Sequence, residues 1–228
     1  MREATELERD GFSIVRSVLD ADVVAELLAL LEPMMKGNPS AGTRALAHKV
    51  PRIRALAKSH DIRSLIEPVL GPQARMIRSV LFTKDRETNW QVAWHQDLSI
   101  AVREKAETEG YACWSTKDGL VHVQPPVAVL ERMVTVRLHL DAANERNGAL
   151  WVSPGSHRFG RIPASKAAAL AQRNGKKLCA VERGDALLFR PLVLHASRKA
   201  VSRLPRRVIH LEFAGIALPQ PLVWNEAA

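Results

Sequence analysis

The chain has 228 residues, of which 46% are hydrophobic and 25% charged, values ordinary for a soluble globular protein with a large core. Its apolar stretches are shorter than the roughly 18 residues that a membrane-spanning helix needs, so we expect no membrane partner. Met1 to Asp10 is charged and lacks an apolar signal region, which predicts a cytoplasmic protein. We therefore expect Cys113 and Cys179 to be free thiols.

The charge balance is strongly basic, with a net charge of +9 and a pI near 10.1. We interpret most of this charge as solvated surface, and the alternative is attraction of an anionic substrate. The basic residues are not interleaved with aromatic ones, which make up 5% of the chain, and no nucleic-acid-binding motif is visible. We therefore expect no nucleic-acid partner.

Helices dominate the first third of the chain. An acidic turn opens it, a strand follows at Phe12 to Arg16, and Asp20 or Asp22 caps a helix with apolar residues at helical spacing. A polar break at Lys36 to Ser40 ends that helix. Two shorter helices are predicted next, at Arg52 to Lys58 and at Asp61 to Leu70.

Strand patterns dominate the remainder. They are predicted, with two helical segments, at Arg75 to Thr83, Gln91 to His95, Val134 to Leu140, Ala149 to Val152, Lys177 to Val181, Ala186 to Arg190, Val193 to His195 and Arg207 to Ala214. The helical segments are Pro126 to Glu131 and Pro163 to Gln172, and Leu98 to Pro126 is predicted to be a long, lid-like loop. The pattern favours one α+β domain over residues 1–228, mainly β, whose core is a jelly roll.

A candidate metal site is visible in Trp94-His95-Gln96-Asp97. Residues two apart on a strand point to the same side, so His95 and Asp97 project together. A distant histidine would complete two imidazoles and one carboxylate, the set that non-haem Fe(II) oxygenases use. His195 is the best candidate, because it closes the apolar segment Leu192-Val193-Leu194.

Arg206 follows His195 by eleven residues and is a candidate for holding an organic acid. 2-Oxoglutarate needs a metal for its keto-acid end and a buried cation for its far carboxylate, and arginine can bind a carboxylate through two parallel hydrogen bonds. Arg206 and Arg207 point to opposite faces of a strand, so one of them can enter the barrel. The alternative is that both are surface charges.

The chain resembles the phytanoyl-CoA dioxygenase family of Fe(II)/2-oxoglutarate oxygenases over most of its length. The resemblance is carried by His95-Gln96-Asp97 (the HxD segment), together with His195 and Arg206. Three further segments also carry it: Asp10-Gly11-Phe12-Ser13-Ile14-Val15, Asn147-Gly148-Ala149-Leu150 and Pro154-Gly155-Ser156-His157. Phe213-Ala214 is similar to the end of the family's last strand.

The resemblance implies a double-stranded β-helix with N-terminal and flanking helices. It implies that His95, Asp97 and His195 bind Fe(II), and that Arg206 and Ser197 hold 2-oxoglutarate, with Trp114 near this cosubstrate. It further implies an O2-dependent dioxygenase that hydroxylates an unactivated C–H bond of a small molecule and releases succinate and CO2. The segment Ala196-Ser197-Arg198-Lys199 is more basic than the asparagine-containing version common in the family.

Other polar residues carry open alternatives. His122 and Gln124, in the predicted loop, could line the substrate pocket or face solvent. Lys84 and Arg86 could meet an anionic substrate, but we expect them to be exposed hairpin charges. Ser156 and His157 are expected to shape a turn.

Two other functions remain open at this level. A non-oxidative cupin-type enzyme could use the same ligands with its metal as a Lewis acid, without 2-oxoglutarate. A non-enzymatic basic scaffold would have no use for three intact ligands. The substrate and the oligomeric state are not readable from the sequence.

Overall fold

The computed structural model describes residues 2–35, 42–85, 89–202 and 204–226. The helices in this part are α1 (Arg2–Asp10), α2 (Ala21–Met35), α3 (Leu46–Lys49), α4 (Pro51–Ala57), α5 (His60–Leu70), α6 (Val127–Glu131) and α7 (Ala164–Asn174). The strands are β1 (Phe12–Val15), β2 (Gly42–Arg44), β3 (Arg75–Lys84), β4 (Val92–His95), β5 (Ile100–Val102), β6 (Ala112–Lys117), β7 (Leu120–Gln124), β8 (Met133–His139), β9 (Leu150–Val152), β10 (Lys177–Leu178), β11 (Ala186–Phe189), β12 (His195–Ser197) and β13 (Arg206–Ala214).

The strands form three antiparallel sheets. The major sheet has the order β1-β11-β8-β13-β3-β2, and the minor sheet has the order β10-β9-β12-β4. Eight strands, β3, β4 and β8 to β13, build the two facing sheets of the barrel, and most neighbouring strands are not consecutive in the chain. This is the topology of a double-stranded β-helix, so the predicted jelly roll with N-terminal and flanking helices is confirmed.

The two faces of the major sheet differ in polarity. Apolar side chains on alternate positions of β8 and β13 pack against α1 to α5 in the largest core cluster of the described residues. The intervening side chains point into the barrel, and most of them are polar: Thr135, Arg137, His139, Arg206, His210 and Glu212, with Met133 and Val208 as apolar exceptions. The helices therefore cover the apolar face, and the polar face lines the barrel interior.

The prediction of a long, lid-like loop between Leu98 and Pro126 is wrong. This segment contains β5, β6 and β7, which form the third sheet in the order β5-β7-β6. Asp118 and Gly119 join β6 to β7, with φ angles of 51° and 76°. Positive φ at two consecutive residues is typical of a tight hairpin turn, and Asp-Gly is a sequence signal for it.

Smaller differences concern where elements begin. The opening acidic turn is the helix α1, and His195 begins β12 where a strand ending at this residue was predicted. The polar break at Lys36 to Ser40 lies outside the described residues. In the part of the chain that the structure describes, no helix has the length and apolarity needed to cross a membrane.

Two of the sequence motifs meet on the barrel surface. The Gly155 amide donates to the Asp10 carbonyl at 2.8 Å, and Nε2 of His157 lies 3.1 Å from the Glu8 carbonyl. Gly11 has a φ of +80°, and a Cβ atom there would lie 2.4 Å from Nδ1 of His157. The glycine thus permits the N-terminal segment to lie directly against the Pro154-Gly155-Ser156-His157 turn.

We predict that Gly11→Ala destabilises the protein more than Gly119→Ala does. The two glycines have φ angles of +80° and +76°, a conformation that costs an alanine about 1–2 kcal/mol, but nothing lies within 4 Å of a Cβ at Gly119. The difference between the two free energies of unfolding, measured by chemical denaturation, isolates the contact with His157. Equal losses in the two variants would show that this contact does not constrain the fold.

Candidate metal and cosubstrate site

Two neighbouring strands of the minor sheet bring the predicted metal ligands together. His95 ends β4, His195 begins β12, and the two residues are paired in register. The carboxylate oxygens of Asp97 lie 3.7 Å from Nε2 of each histidine. Ligand atoms of the three side chains all lie within 4.8 Å of one another, which fits a single metal ion with a facial set of two imidazoles and one carboxylate.

Backbone carbonyls determine which nitrogen of each imidazole faces the metal position. Nδ1 of His195 lies 3.0 Å from the Val193 carbonyl, and Nδ1 of His95 lies 2.9 Å from the Ala93 carbonyl. A carbonyl oxygen only accepts, so Nδ1 carries the proton in both rings and Nε2 keeps its lone pair. Metal-bound histidines are held in this way.

Gln96, between the two local ligands, is buried and uses its whole amide group. Its Nε2 donates to the Leu192 carbonyl at 2.7 Å and to the Gly160 carbonyl at 2.8 Å. Its Oε1 accepts from the Ile162 amide at 2.8 Å. These bonds join the HxD segment to the chain that leads into β12 and to the turn before α7.

Further bonds fix the backbone on both sides of the ligands. The Asp97 amide donates to the Pro191 carbonyl at 2.9 Å. The buried Ser156 hydroxyl accepts from the Leu194 amide at 2.8 Å, immediately before His195. Ser156 therefore supports the ligand strand, in agreement with the structural role expected for its turn.

The protonation states suit metal binding. Burial lowers the pKa of His195 to about 4, so this imidazole is neutral at neutral pH. Burial alone would raise the pKa of Asp97, but His195 and His95 outweigh it and hold the pKa at about 2. The site thus presents an ionised carboxylate beside an imidazole with a free lone pair.

A cavity of about 100 Å³ opens beside the three ligands. Mostly polar and aromatic side chains, on or next to strands of both main sheets, line it: Phe82, Trp90, Val92, His95, Asp97, Arg137, Leu150, His195, Ser197, Arg206 and His210. The predicted metal ligands, Arg206 and Ser197 therefore share one cavity. Among the described lining residues Asp97 is the carboxylate, whereas two are arginines.

Arg206 lies in this cavity as a buried cation, 2% exposed. Its Nε and Nη1 atoms are buried and have no hydrogen-bond partner in the described structure. Burial and the nearby Arg137 lower the pKa of Arg206 to about 9, so it stays charged at neutral pH. Arg207 points to the opposite face and forms a two-bond ion pair with Asp141, at 2.8 Å and 2.6 Å.

Lys84 lies against the wall of the same cavity, and the prediction that it is an exposed hairpin charge is wrong. It is 1% exposed and is paired in register with Arg206. Its Nζ atom donates to the Arg198 carbonyl at 2.8 Å, and lies 3.4 Å from the Ser197 hydroxyl and 5.0 Å from the centre of the Trp90 ring. Burial, with the two neighbouring arginines, lowers the pKa of Lys84 to about 7. Arg86 lies outside the described residues.

The Asn147-Gly148 motif has a physical role at this point. Gly148 has a φ of +77°, and a Cβ atom there would lie 2.9 Å from Nζ of Lys84 and 2.8 Å from the Arg198 carbonyl. Only a residue without a side chain leaves room for the bond between these two groups.

A chain of polar side chains that sequence reasoning missed crosses the barrel interior. Nη1 of Arg137 lies 3.3 Å from Nδ1 of His210, whose Nε2 lies 3.1 Å from Oε1 of Glu212. Nη1 of Arg78 donates to the same Glu212 oxygen at 3.0 Å. The alternation of β8 places Arg137 on the face opposite Val136 and Leu138, but nothing local shows that this face lines a cavity.

The other predicted site residues lie elsewhere. Trp114, His122 and Gln124 belong to the third sheet and are not among the described residues that line the cavity. His122 is buried, its Nδ1 lies 3.0 Å from the Leu120 carbonyl, and its buried Nε2 has no partner among the described residues. The charge of Arg78 lowers the pKa of both His122 and Asp97, so Arg78 is near both residues.

Known proteins match this chain over most of its length. A family model described as phytanoyl-CoA dioxygenase (PhyH) matches residues 7–208. The chain is also similar to an ectoine dioxygenase from Nocardia farcinica (strain IFM 10152), with 24% identity over 92% of this chain and 76% of the relative.

Solved structures of similar fold include EctD from S. alaskensis with bound Fe, at a TM-score of 0.74 and 21% identity over 96% of this chain and 79% of that one. They also include the epimerase SnoN in complex with Fe3+, alpha ketoglutarate and nogalamycin RO, at a TM-score of 0.73 and 18% identity over 93% and 82% of the two chains. At these identities the likeness establishes the shared fold.

We predict that Gln96→Met weakens metal binding although it removes no ligand. The change conserves volume but leaves three buried backbone groups unpaired, each at a cost of about 1–3 kcal/mol. Loss of such supporting bonds typically weakens a metal site roughly 10- to 100-fold. Anaerobic Fe(II) titration and thermal unfolding measure both effects, with the exposed Gln91→Met as the matched control. Unchanged Fe(II) affinity in Gln96→Met would refute the supporting role.

Proposed function

The chain belongs to the phytanoyl-CoA dioxygenase family, and we propose that it is an Fe(II)- and 2-oxoglutarate-dependent dioxygenase that hydroxylates an unactivated C–H bond of a small molecule, with release of succinate and CO2. The observation that carries the proposal is Arg206. It is a buried cation with two unpaired nitrogen atoms, and it lies in the same cavity as the three metal ligands.

His95, Asp97 and His195 would hold the metal. A facial set of three protein ligands leaves positions for a chelating keto acid and for O2, and bound Fe(II) would supply the activation of O2. The carboxylate of Asp97 favours hydroxylation over halogenation, because a halogenating site needs that ligand position free for a halide. The buried Gln96 and Ser156 keep the ligands in this geometry.

Arg206, Ser197 and Lys84 would bind the distal carboxylate of 2-oxoglutarate. All three are buried, and the Arg206 guanidinium has unpaired N–H groups that can donate to a carboxylate. The Trp90 ring is the aromatic group at this end of the cavity. The earlier assignment of Trp114 to the cosubstrate stays a prediction.

We also propose that His122 and Gln124 contact the substrate. They lie on the same face of β7, and the buried Nε2 atom of His122 has a hydrogen bond to offer or accept. The basic net charge of the chain would favour an anionic group in the substrate. A cytoplasmic location and one domain over residues 1–228 also stay predictions.

The proposal predicts that one variant loses metal binding and another loses affinity for 2-oxoglutarate. We expect Fe(II)-loaded protein to convert 2-oxoglutarate slowly to succinate when O2 is admitted without a substrate. His195→Ala should abolish turnover by weakening metal binding, whereas Arg206→Met should keep Fe(II) binding and raise the dissociation constant for 2-oxoglutarate at least tenfold. Anaerobic titration and succinate detection measure these effects, with Arg207→Met as the control. Absence of 2-oxoglutarate binding to the Fe(II)-loaded wild type would favour the non-oxidative cupin-type alternative.

The pKa of Lys84 predicts a pH dependence of binding. Because this pKa is about 7, Lys84 loses its charge in the free protein as the pH rises above 7. An anionic carboxylate beside it favours the protonated form, so binding takes up a proton and weakens with rising pH, by up to about tenfold per pH unit. We expect calorimetric titrations from about pH 6.5 to about pH 8.5 to show this slope. The same slope in Lys84→Met would assign it to another group.

A further inference from the structure

Arg137 is a buried cation without a carboxylate partner among the described residues. It is 6% exposed, and its Nε atom is buried and unpaired. Its contacts are Nδ1 of His210, at 3.3 Å from Nη1, and the Phe82 ring, whose centre lies 5.4 Å from the guanidinium carbon. An uncompensated buried charge is unfavourable for folding, so a role in stability does not account for it.

The strand register places Arg137 at a different height in the barrel from Arg206. Arg137 is paired with His210, four residues along β13 from Arg206, or roughly 13 Å along the strand. Arg206 is paired with Lys84 at the far end. His210, which contacts Arg137, packs on the same Phe189 ring as the metal ligand His195, with ring centres 6.2 Å and 5.0 Å from that of Phe189. Arg137 is therefore the cation nearer the metal ligands.

2-Oxoglutarate carries two carboxylates, and Arg206 can hold only the distal one. We propose that Arg137 binds the other carboxylate, next to the keto group at the metal, an assignment that rests on the proposed function. The guanidinium presents a planar fork that suits a carboxylate, and its unpaired Nε is available for one of the bonds. The site thus holds each end of the cosubstrate with its own arginine.

His210 and Glu212 are positioning residues for this arginine. Nδ1 of His210 accepts from Arg137, which requires the ring proton on Nε2, and Nε2 then donates to Glu212 at 3.1 Å. The Arg78 guanidinium pairs with Glu212 and fixes its carboxylate. The orientation of Arg137 is therefore set before any ligand binds, which lowers the entropy cost of binding.

The binding of three organic acids tests the assignment. 2-Oxoglutarate has both carboxylates and the keto group, 2-oxobutyrate lacks the distal carboxylate, and glutarate lacks the keto group. Each is titrated anaerobically into Fe(II)-loaded wild type, Arg137→Met, Arg206→Met and Arg207→Met. Calorimetry and the fluorescence of Trp90 report binding, with Trp90→Phe to assign the fluorescence change.

We expect Arg137→Met to weaken the binding of 2-oxoglutarate and of 2-oxobutyrate by the same factor, at least tenfold. Arg206→Met should weaken the binding of 2-oxoglutarate and glutarate but leave the binding of 2-oxobutyrate nearly unchanged. Arg207→Met should leave the binding of all three acids unchanged. Because Arg137 is an uncompensated buried charge, we also expect the midpoint of thermal unfolding of metal-free Arg137→Met to equal or exceed that of the wild type.

Separate outcomes overturn this inference and the proposed function. If Arg137→Met retains Fe(II) and wild-type affinity for 2-oxobutyrate, Arg137 does not bind the keto-acid end, whatever happens to 2-oxoglutarate. If Arg137→Met unfolds at a lower temperature than the wild type, the same titrations with Arg137→Lys decide whether Arg137 binds the keto-acid end. Lysine keeps the charge without the planar fork, so Arg137→Lys should still weaken the binding of 2-oxobutyrate. If the Fe(II)-loaded wild type binds no 2-oxo acid, the proposed function fails together with this inference.

Discussion

The structure depends on positive charge held inside the barrel with little negative charge to balance it. Arg206, Arg137 and Lys84 are buried near one another, and burial lowers the pKa of each. Asp97 acts on the charge of Arg137 and also serves the metal position, whereas the Glu212 carboxylate is paired with Arg78. Such an arrangement stores unfavourable electrostatic energy in the free protein, and an organic dianion relieves it on binding. Selectivity for a dicarboxylate therefore follows from the barrel's charge balance as well as from hydrogen-bond geometry.

That charge is tolerated because the apolar contacts lie on the other face of the same strands. Val134, Val136 and Leu138 of β8 pack against the N-terminal helices, while Thr135 and Arg137 point inward. The helices thus supply the hydrophobic stabilisation that a polar barrel interior cannot. A strand in which polar and apolar residues alternate usually has its polar face in water. Here the polar face is buried around a ligand cavity.

The burial of this polar strand face explains which parts of the fold and of the site could be predicted from the sequence. His95 and Asp97 lie two residues apart in the sequence, and the jelly roll follows from strand spacing together with motifs such as Pro154-Gly155-Ser156-His157. Lys84 and Arg137 enter the site only through strand register, which no local pattern reports, so Lys84 was expected in solvent. The hairpin at Asp118-Gly119 is different, because the sequence contains its turn signal, although the segment around it was predicted to be a loop.

The metal ligands and the third sheet belong to separate parts of the fold. One strand pair, β4 with β12, sets the distance between the histidines, and the Gln96 side chain anchors the backbone between His95 and Asp97. The third sheet, which carries His122, contacts the C-terminal segment: the Asn225 amide donates to the Ala101 carbonyl, and Trp224 bridges Val102. None of these contacts involves a metal ligand. If His122 and Gln124 contact the substrate as proposed, changes in the third sheet would alter the choice of substrate and leave the metal ligands in place. The motif that identifies the reaction would then say little about the substrate, because the third sheet has no comparably clear signal in the sequence.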